Sequence, residues 1–269
     1  MRISVVIPTL NDEENLERVL ETVRDFDEIL VCDAGSDDRT LEIAERAGAR
    51  VVRFNGPEAE KRAGATALGL QQARFTWVFV VNPDELVPVA LYNHIREFVG
   101  NPGEHSGIIM PRKNYVLHKF SRSTYPDYQL RLFRREGASW NKQTDRPRIT
   151  GKARKIPAVN QEMALIHISH PLSDTLRRFN VRSESEAGYL DDGQGVSLFT
   201  LLFSPAASFL DFYLVKGGFK FGRTGYIQAK KRAYYRFMVL SKIIENEGKR
   251  RFWEELDRSG AVKKPGEII

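Results

Sequence analysis

The stretch Val78-Phe79-Val80-Val81-Asn82-Pro83-Asp84-Glu85 decides the fold that we expect for this chain. Its apolar and mostly β-branched first half predicts a strand buried on both faces, and the strand ends abruptly at Asn-Pro. Two carboxylates, Asp84 and Glu85, therefore follow the carboxyl end of a buried strand, which is where open α/β sheets bind their ligands. Asn-Pro-Asp is also ordinary turn chemistry, so this stretch alone leaves a ligand site and a simple turn about equally open.

Strand and helix patterns alternate through the residues that precede this stretch. Apolar runs at residues 3–7, 28–32, 49–54 and 76–81 predict four strands, and helical patterns separate them, the last at residues 58–73. This alternation predicts an α/β fold with a mainly parallel sheet covered by helices. Residues 106–111 and 115–120 predict two further strands.

Polar side chains follow three of the predicted strands. They are Thr9 and Asn11, then Asp33 and Ser36, then Asn82 and Asp84. Side chains at the ends of neighbouring parallel strands converge on one edge of the sheet, so we expect a ligand site there. The chain has neither a GxGxxG nor a Walker sequence, which argues against the usual dinucleotide fold and against a P-loop NTPase.

Composition narrows the class of protein. The 269 residues are 42% hydrophobic and 28% charged, as in soluble globular proteins, and the formal net charge of +6 favours an anionic partner. No nucleic-acid-binding motif is evident, so we expect no nucleic acid partner. The single cysteine, Cys32, lies in an apolar run, which indicates a buried core thiol and a reducing compartment. No signal-peptide pattern precedes the first strand, so we expect a cytoplasmic protein.

Three motifs resemble, in order and spacing, those of the family 2 glycosyltransferases. They are Pro8-Thr9-Leu10-Asn11-Asp12-Glu13-Glu14-Asn15, Asp33-Ala34-Gly35-Ser36-Asp37-Asp38-Arg39-Thr40 and Asn82-Pro83-Asp84-Glu85. The later segment Tyr125-Pro126-Asp127-Tyr128-Gln129-Leu130-Arg131-Leu132-Phe133-Arg134-Arg135 resembles the branch of lipopolysaccharide-core β-glucosyltransferases. The similarity covers most of the chain and weakens between about residues 140 and 162.

This resemblance implies a GT-A fold, in which a Rossmann-like, mixed nucleotide-sugar-binding sheet is flanked by helices. It places the nucleotide-sugar-binding and catalytic domain at residues 1–170 and a helical C-terminal region at residues 171–269. The implied reaction is inverting transfer of a sugar, as a hexosyltransferase, from a UDP-sugar to a hydroxyl of a lipid-linked or lipopolysaccharide-core-type saccharide. The implied role is in cell-envelope polysaccharide biosynthesis.

The resemblance also implies which residues bind the donor. Pro8, Thr9, Asn11 and Glu13 would line the nucleoside pocket, Asp33 would accept a hydrogen bond from the uracil ring, and Ser36 would lie beside it. Lys61 and Arg62 fall where similar enzymes carry a basic residue near the donor, although a solvated helix face explains these two residues equally well.

The acidic motif departs from the family pattern. Relatives usually have Asp-Ala-Asp-Glu, whereas this chain has Asn82-Pro83-Asp84-Glu85. The diphosphate leaving group calls for Mg²⁺ or Mn²⁺, which needs only one or two protein carboxylates, and Asp84 is the expected ligand. Asn82 keeps an oxygen for a ribose hydroxyl or a metal-bound water but contributes no charge. The change therefore predicts a reduced metal affinity, an altered donor or a degenerate site.

The acceptor side is expected around the later motif. By its match to the family segment, Asp127 is the general base that deprotonates the acceptor hydroxyl, although an Asp after Pro is also common in turns. Arg131 would hold the diphosphate or the acceptor, and strict alternation places Leu130 and Leu132 together on the opposite face of its strand. A His-Glu pair of the relatives is missing, with Thr144-Asp145-Arg146-Pro147 in its place. His167 resembles a family histidine, yet a histidine in an apolar strand is more often structural.

The last 99 residues have helical patterns. Residues 172–190 are amphipathic, and residues 196–215 are strongly apolar but contain Pro205 and Asp211, which we interpret as a break and a poor transmembrane span. Many basic residues follow. This pattern indicates either a surface that contacts an anionic membrane at its inner face or a helical hairpin that packs on the catalytic domain or on a second subunit.

Two other functions remain open on the sequence. Asn82 and the missing His-Glu pair are compatible with a noncatalytic nucleotide-sugar-binding or membrane-surface protein derived from such an enzyme. A nucleotidyltransferase is a third possibility, but no Gly-rich basic loop near the first strand is present to activate a triphosphate.

Overall fold

The computed structural model describes residues 1–56, 61–141, 145–168, 172–191 and 195–259. These residues form two compact units, Met1–Ser169 and His170–Ile269. The strands are β1 Ile3–Thr9, β2 Glu28–Asp33, β3 Arg50–Arg53, β4 Trp77–Val80, β5 Glu85–Leu86, β6 His105–Met110, β7 Arg112–Val116, β8 Lys119–Phe120, β9 Gln129–Arg134, β10 Ser139–Asn141, β11 Arg146–Arg148, β12 Lys152–Lys155 and β13 Leu165–Ile168. The helices are α1 Leu16–Val23, α2 Thr40–Arg46, α3 Lys61–Gln72, α4 Val89–Gly100, α5 Leu172–Leu190, α6 Leu198–Leu210 and α7 Gly222–Ser259.

The first unit is built on a seven-stranded mixed sheet of order β12-β6-β9-β4-β1-β2-β3. Strands β4, β1, β2 and β3 are parallel, and β9 runs antiparallel to β4. A second sheet of order β5-β13-β7-β8 and a small β10-β11 ribbon complete the unit. The expected mixed α/β sheet is therefore confirmed, and β4 ends at Val80, two residues before Asn82.

Helices cover both faces of the large sheet. Apolar side chains of α1, α2 and α4 pack on one face, and the alanines of α3 pack on the other. Gly69 allows α3 to approach closely, because a Cβ atom there would overlap Val6 and lie 2.7 Å from the sulfur of Cys32. Cys32 is fully buried, and burial raises the pKa of its thiol to about 12, in agreement with a core cysteine.

The strand expected at residues 115–120 differs from the structure. Residues 115–120 do not form one strand, because Leu117 and His118 adopt positive φ angles of 49° and 60° and turn β7 back into β8. Helix α1 begins at Leu16, after a turn in which the Asp12 carboxylate accepts a hydrogen bond from the Leu10 N–H. Helix α3 begins at Lys61, and the expected start at residue 58 lies outside the described residues.

Strand β9 is not strictly alternating. Leu130 and Leu132 pair with the consecutive residues Ile109 and Ile108 of β6, so Arg131 is an additional, bulged residue. Leu132 consequently packs in the cluster with α1 and α4, whereas Leu130 packs on the cluster with α3. The expectation that both leucines share one face is wrong, since a bulge shifts the side-chain alternation by one residue.

The second unit consists of α5, α6 and α7. Helices α5 and α6 both pack on α7, and a small buried cluster contains Ala187, Val239, Leu240 and Ile243. Helix α6 continues through Pro205, because the loss of one backbone hydrogen bond is offset by packing on α7. The expected break at Pro205 is therefore wrong. By length and composition alone, Leu198–Val215 is apolar enough to cross a membrane, with a mean hydropathy of 1.6 and 6% of its residues buried.

Candidate active site

The predicted nucleoside residues converge at the carboxyl ends of β1 and β2. The Ser36 hydroxyl donates to Asp33 Oδ1 at 2.5 Å and accepts from the Asn11 N–H at 2.9 Å. The Thr9 hydroxyl donates to the same Asp33 oxygen at 3.3 Å. Four residues that the sequence placed together are thus connected by hydrogen bonds. Pro8 precedes them in β1, opposite Cys32 of β2.

Asp33 organises the loop that follows β2. Its Oδ2 accepts from the N–H groups of Gly35 and Ser36, both at 3.0 Å, and Gly35 adopts the positive φ of 94° that this turn requires. Asp33 is 1% exposed. A uracil N–H would therefore share an oxygen that already accepts hydrogen bonds, and the predicted contact with uracil stays a prediction.

Basic and acidic residues fix the neighbouring loop. Arg62 of α3 donates to both carboxylate oxygens of the buried Asp12 at 2.8 Å and to the Leu10 carbonyl oxygen. Glu13 is exposed and accepts from Arg39. Lys61 lies at the first position of α3. Arg62 thereby holds the β1–α1 loop through Asp12, a residue for which the sequence predicts no role of its own.

A second cluster of polar residues surrounds Glu85, at the start of β5. Glu85 is completely buried, and its Oε1 accepts from Arg112 Nη1 at 2.6 Å and from Arg131 Nη2 at 2.8 Å. Its Oε2 accepts from the Asn82 N–H at 3.1 Å. The two arginines lower the pKa of Glu85 although burial opposes this, so the carboxylate is charged. The Asn-Pro-Asp-Glu turn is therefore tied to β7 and β9.

Asp127 belongs to the same cluster. Its Oδ2 accepts from Arg112 Nε at 2.9 Å and from Asn114 Nδ2 at 3.1 Å, and its Oδ1 accepts from Gln129 Nε2 at 2.7 Å. Burial raises the pKa of Asp127, but the Arg112 charge and these hydrogen bonds outweigh burial and hold the pKa below its usual range. The carboxylate is consequently ionised and held in one orientation.

His167 connects the two ends of this cluster. Its Nδ1 lies 2.8 Å from Asn114 Oδ1, and its Nε2 lies 3.3 Å from Asp84 Oδ2. Asn114 directs its Nδ2 to Asp127, so its Oδ1 accepts the proton on His167 Nδ1. The Nε2 atom of His167 then faces the Asp84 carboxylate. His167, for which the sequence favoured a structural role, thus lies beside the predicted metal ligand.

The donor atoms at Asp84 fit a divalent cation with two protein ligands. Asp84 Oδ2 and His167 Nε2 lie 3.3 Å apart, and a carboxylate oxygen and an imidazole nitrogen are both donors that a divalent cation accepts. No group of three or more His, Cys, Asp or Glu residues suited to a metal occurs within the described part of the chain.

Arg131 does not point freely into solvent. Its side chain is 7% exposed, and its guanidinium donates to Glu85. The bulge in β9 accommodates this buried side chain next to β5. Arg131 thus supports Glu85, and a direct contact between Arg131 and a diphosphate stays a prediction.

Arg112 and Asn114 belong to the site although no motif of the sequence indicates them. Both lie on β7, whose register with β13 places Asn114 opposite His167 and Arg112 opposite Leu165. The alternation of the polar residues Arg112 and Asn114 along β7 is the one local feature of the sequence that could have indicated them as site residues. The contacts themselves depend on strand pairings between residues that are more than 50 positions apart, which no local pattern shows.

Comparisons with known proteins give a consistent result. The model of the family described as Glycosyl transferase family 2 matches residues 4–154. The chain is 25% identical over 256 residues to the lipopolysaccharide core biosynthesis glycosyltransferase LpsC of Rhizobium meliloti, covering 90% of this chain and 92% of LpsC. It is 26% identical to the glycosyltransferase RC0292 of Rickettsia conorii, covering 91% and 90% of the two chains.

Among solved structures, the S. aureus TarS crystal structure matches with a TM-score of 0.51 and 14% sequence identity. The match covers 87% of this chain and 55% of the TarS chain, so this chain spans about half the length of TarS. At this identity the similarity supports the fold alone, and that fold is GT-A.

Proposed function

Because this chain belongs to glycosyltransferase family 2, we propose that it transfers a hexose, with inversion, from a UDP-sugar to a hydroxyl of a lipid-linked or lipopolysaccharide-core-type saccharide. The observation that carries the proposal is the ionised Asp127 carboxylate, oriented by Arg112, Asn114 and Gln129 in the same cluster as Asp84. The similarity to LpsC over nearly its whole length supports an acceptor of the lipopolysaccharide-core type.

The donor nucleoside is proposed to bind at the edge formed by Thr9, Asn11, Asp33 and Ser36. The Asp33 carboxylate and the Ser36 hydroxyl are hydrogen-bond acceptors and donors that hold each other in fixed positions. Such a set suits a uracil ring, which has one N–H group and two carbonyl oxygens. Pro8, Glu13, Lys61 and Asn82 are proposed to contact the donor as well, and Asn82 follows β4, which pairs in parallel with β1. The diphosphate then extends towards Asp84.

In the proposed reaction Asp127 accepts the proton of the acceptor hydroxyl as that oxygen attacks the anomeric carbon from the face opposite the UDP. Arg112 and Asn114 keep the carboxylate in place. Its lowered pKa makes Asp127 a weak base at rest, so the proton transfer occurs late, as the attacking oxygen becomes acidic through bond formation. Arg131 acts through Glu85, which it holds in its charged form.

Asp84 and His167 would hold a divalent cation, Mg²⁺ or Mn²⁺. When bound, the cation supplies positive charge that stabilises the departing diphosphate. Asn82, in place of the usual aspartate, contributes no charge at this position, so we expect a weaker metal affinity than two carboxylates would give.

The test is the substitution Asp127→Asn, with release of UDP as the measurement. Loss of the base should lower turnover by about 10²-fold or more. Binding of UDP, measured by calorimetry with Mn²⁺, should change little because Asp127 lies outside the nucleoside edge. Asp25→Asn, which removes an exposed carboxylate, is the matched control and should retain full turnover. Normal turnover of Asp127→Asn would show that the base is another residue.

A noncatalytic nucleotide-sugar-binding protein is the second candidate, and Asn82 is the observation that favours it. Calorimetry that shows UDP binding without any dependence on metal, together with no turnover of any UDP-sugar, would support it. A nucleotidyltransferase would instead release pyrophosphate. A thermal-shift screen of nucleotide sugars with and without Mn²⁺ identifies the donor, since a ligand that binds only the folded state raises Tm.

We also propose that the protein acts in the cytoplasm at the inner face of the cell membrane, where a lipid-linked acceptor is available. A homo-oligomer is compatible with this location, and sedimentation of the free protein tests it.

A further inference from the structure

Helix α6 exposes an apolar face. Its exposed large side chains are Leu198, Phe199, Leu202, Phe203 and Leu210, and Leu214 extends the set into the π-helical turn at Asp211–Val215. Intervals of three, four and seven residues between them place these side chains on one side of the helix. The rings of Phe199 and Phe203 are stacked, with centroids 4.3 Å apart. We call this set the apolar α6 face.

The opposite side of α6 carries the polar groups. Ser204 Oγ accepts from Arg236 Nε of α7 at 2.9 Å, and Ser208 donates to the Ser204 carbonyl oxygen. The side that packs on α7 is thus partly polar while the exposed side is apolar. A surface helix of a protein surrounded only by water has the opposite distribution. An apolar medium is therefore expected to cover the apolar α6 face.

The net charge of the protein is concentrated next to this face. Residues 196–236 contain seven Lys and Arg residues and one acid, Asp211, a net charge of +6 that equals the formal net charge of the whole chain. Asp211 is itself paired with Lys216 at 2.7 Å. Five of the basic residues are exposed: Lys216, Lys220, Arg223, Lys230 and Arg232. A strongly anionic surface is the matching partner.

Aromatic and basic side chains meet where the apolar α6 face ends. Phe219 and Tyr226 are 48% and 46% exposed, and Tyr213 and Tyr226 have ring centroids 6.0 Å apart. Tyr213, Tyr226 and Arg223 border a shallow pocket of about 420 Å³. Tyrosine beside Lys and Arg is typical of the level of lipid headgroups, where the ring stays apolar and the hydroxyl is hydrated.

We propose that the apolar α6 face inserts, parallel to the membrane plane, into an anionic lipid bilayer, with Lys216, Lys220 and Arg223 on lipid phosphates. The helix lies in the interface because its other side is bound to α7 through Ser204 and Arg236. A second copy of this chain is not the occupant, since two surfaces of net charge +6 repel each other. The surface rests on the membrane location proposed above, and vesicle binding tests it without any glycosyl transfer, so it can fail while turnover persists.

The first test measures binding of the full-length protein to phosphatidylcholine vesicles with and without phosphatidylglycerol. The wild type should sediment with the anionic vesicles. The double substitution Phe199→Ser/Phe203→Ser should lower the partition coefficient by at least about tenfold, because two large apolar side chains no longer enter the bilayer. Val89→Ser/Val159→Ser removes two side chains that are 76% and 81% exposed elsewhere and should bind as the wild type does.

The second test concerns charge. Lys216→Gln/Lys220→Gln/Arg223→Gln should weaken binding to anionic vesicles by about fivefold for each charge removed, and added salt should have the same effect. Arg24→Gln/Arg46→Gln/Lys152→Gln removes three other exposed charges and is the matched control. Equal losses in both triple variants would contradict the proposed surface and indicate a general charge effect.

The third test locates the helix without removing the apolar residues. Leu202→Trp should show a blue-shifted emission on anionic vesicles, with strongest quenching by lipids brominated near the headgroup. Quenching at the bilayer centre would overturn insertion in the plane. An emission spectrum that does not shift on anionic vesicles would overturn the membrane proposal. A wild-type dimer that Phe199→Ser/Phe203→Ser converts to monomers would also overturn it. So would a protein that a polyacidic protein matrix retains but that does not bind vesicles.

Discussion

A single guanidinium, that of Arg112, joins the two parts of the candidate site. It is bonded to the fully buried Glu85 and to Asp127, so it links the turn after β4 with the loop before β9. Each carboxylate has further donors, yet Arg112 is the one residue in the described cluster that contacts both. Its removal should therefore affect both stability and the orientation of the proposed base.

We expect Arg112→Gln to lower the free energy of unfolding by about 3 kcal/mol, because breaking a buried ion pair leaves a carboxylate with too few partners. Arg131 remains on Glu85, which keeps the loss at the lower end of the range for buried pairs. Urea denaturation at neutral pH provides the measurement. Arg24→Gln, at an exposed ion pair, should change stability by less than about 0.5 kcal/mol. A similarly small change for Arg112→Gln would contradict this account.

The pKa of Asp127 predicts how stability changes with pH. The folded-state pKa lies below that of an unperturbed aspartate, about 3.9, so the ionised carboxylate stabilises the protein fully above about pH 4. This contribution is lost as the pH falls through the folded-state pKa. The stability difference between wild type and Asp127→Asn should thus be constant near neutral pH and shrink on acidification. Urea denaturation between neutral and acid pH measures it, and a difference that grows on acidification would refute the prediction.

At the scale of elements, the close packing of helix α3 on the sheet depends on the absence of a side chain at Gly69. Gly69→Ala would raise helix propensity, but its Cβ would overlap Val6 and press on Cys32. We expect a net loss of about 1–3 kcal/mol, since overpacking a dense core outweighs propensity. Gly248→Ala in α7 is the control, because its Cβ would meet nothing within 4 Å, and a gain of up to about 1 kcal/mol is expected. Thermal unfolding of both variants would distinguish the two mechanisms.

The elements also show what sequence patterns can and cannot predict. Buried parallel strands such as β1 and β4 are continuous apolar runs, so their positions followed from composition and spacing. The β7–β8 turn did not, because Leu117 and His118 adopt positive φ without a glycine. The local sequence pattern predicts neither the β9 bulge nor the role of Arg112, and the reason is the same. Both depend on pairing with strands distant in sequence, whereas Asp84 and Asp127 could be named because their motifs resemble those of the family.

At the scale of the molecule, the two units differ in the size of their cores. Among the described residues, the core cluster of the second unit contains four buried side chains, whereas the first unit has two clusters that are each several times larger. Helices α5, α6 and α7 span 19, 13 and 38 residues, more than the four helices of the first unit together. The second unit therefore contributes most of the helical signal but the smaller core.

We expect urea to unfold the second unit first. Far-UV circular dichroism, which follows mainly α5, α6 and α7, should lose signal at lower urea than the fluorescence of the buried Trp77. Trp253 is 58% exposed in the second unit, so Trp253→Phe restricts the fluorescence to the first unit. Coincident transitions by the two methods would mean that the units unfold cooperatively.

The buried thiol of Cys32 has a practical consequence. The chain contains no other cysteine, and a pKa of about 12 leaves almost no thiolate at neutral pH to react with a maleimide or a methanethiosulfonate reagent. The wild-type protein is therefore a silent background for site-directed spin or fluorophore labelling. A cysteine introduced at an exposed position of α6 or α7 would carry the label alone, without any prior substitution in the core.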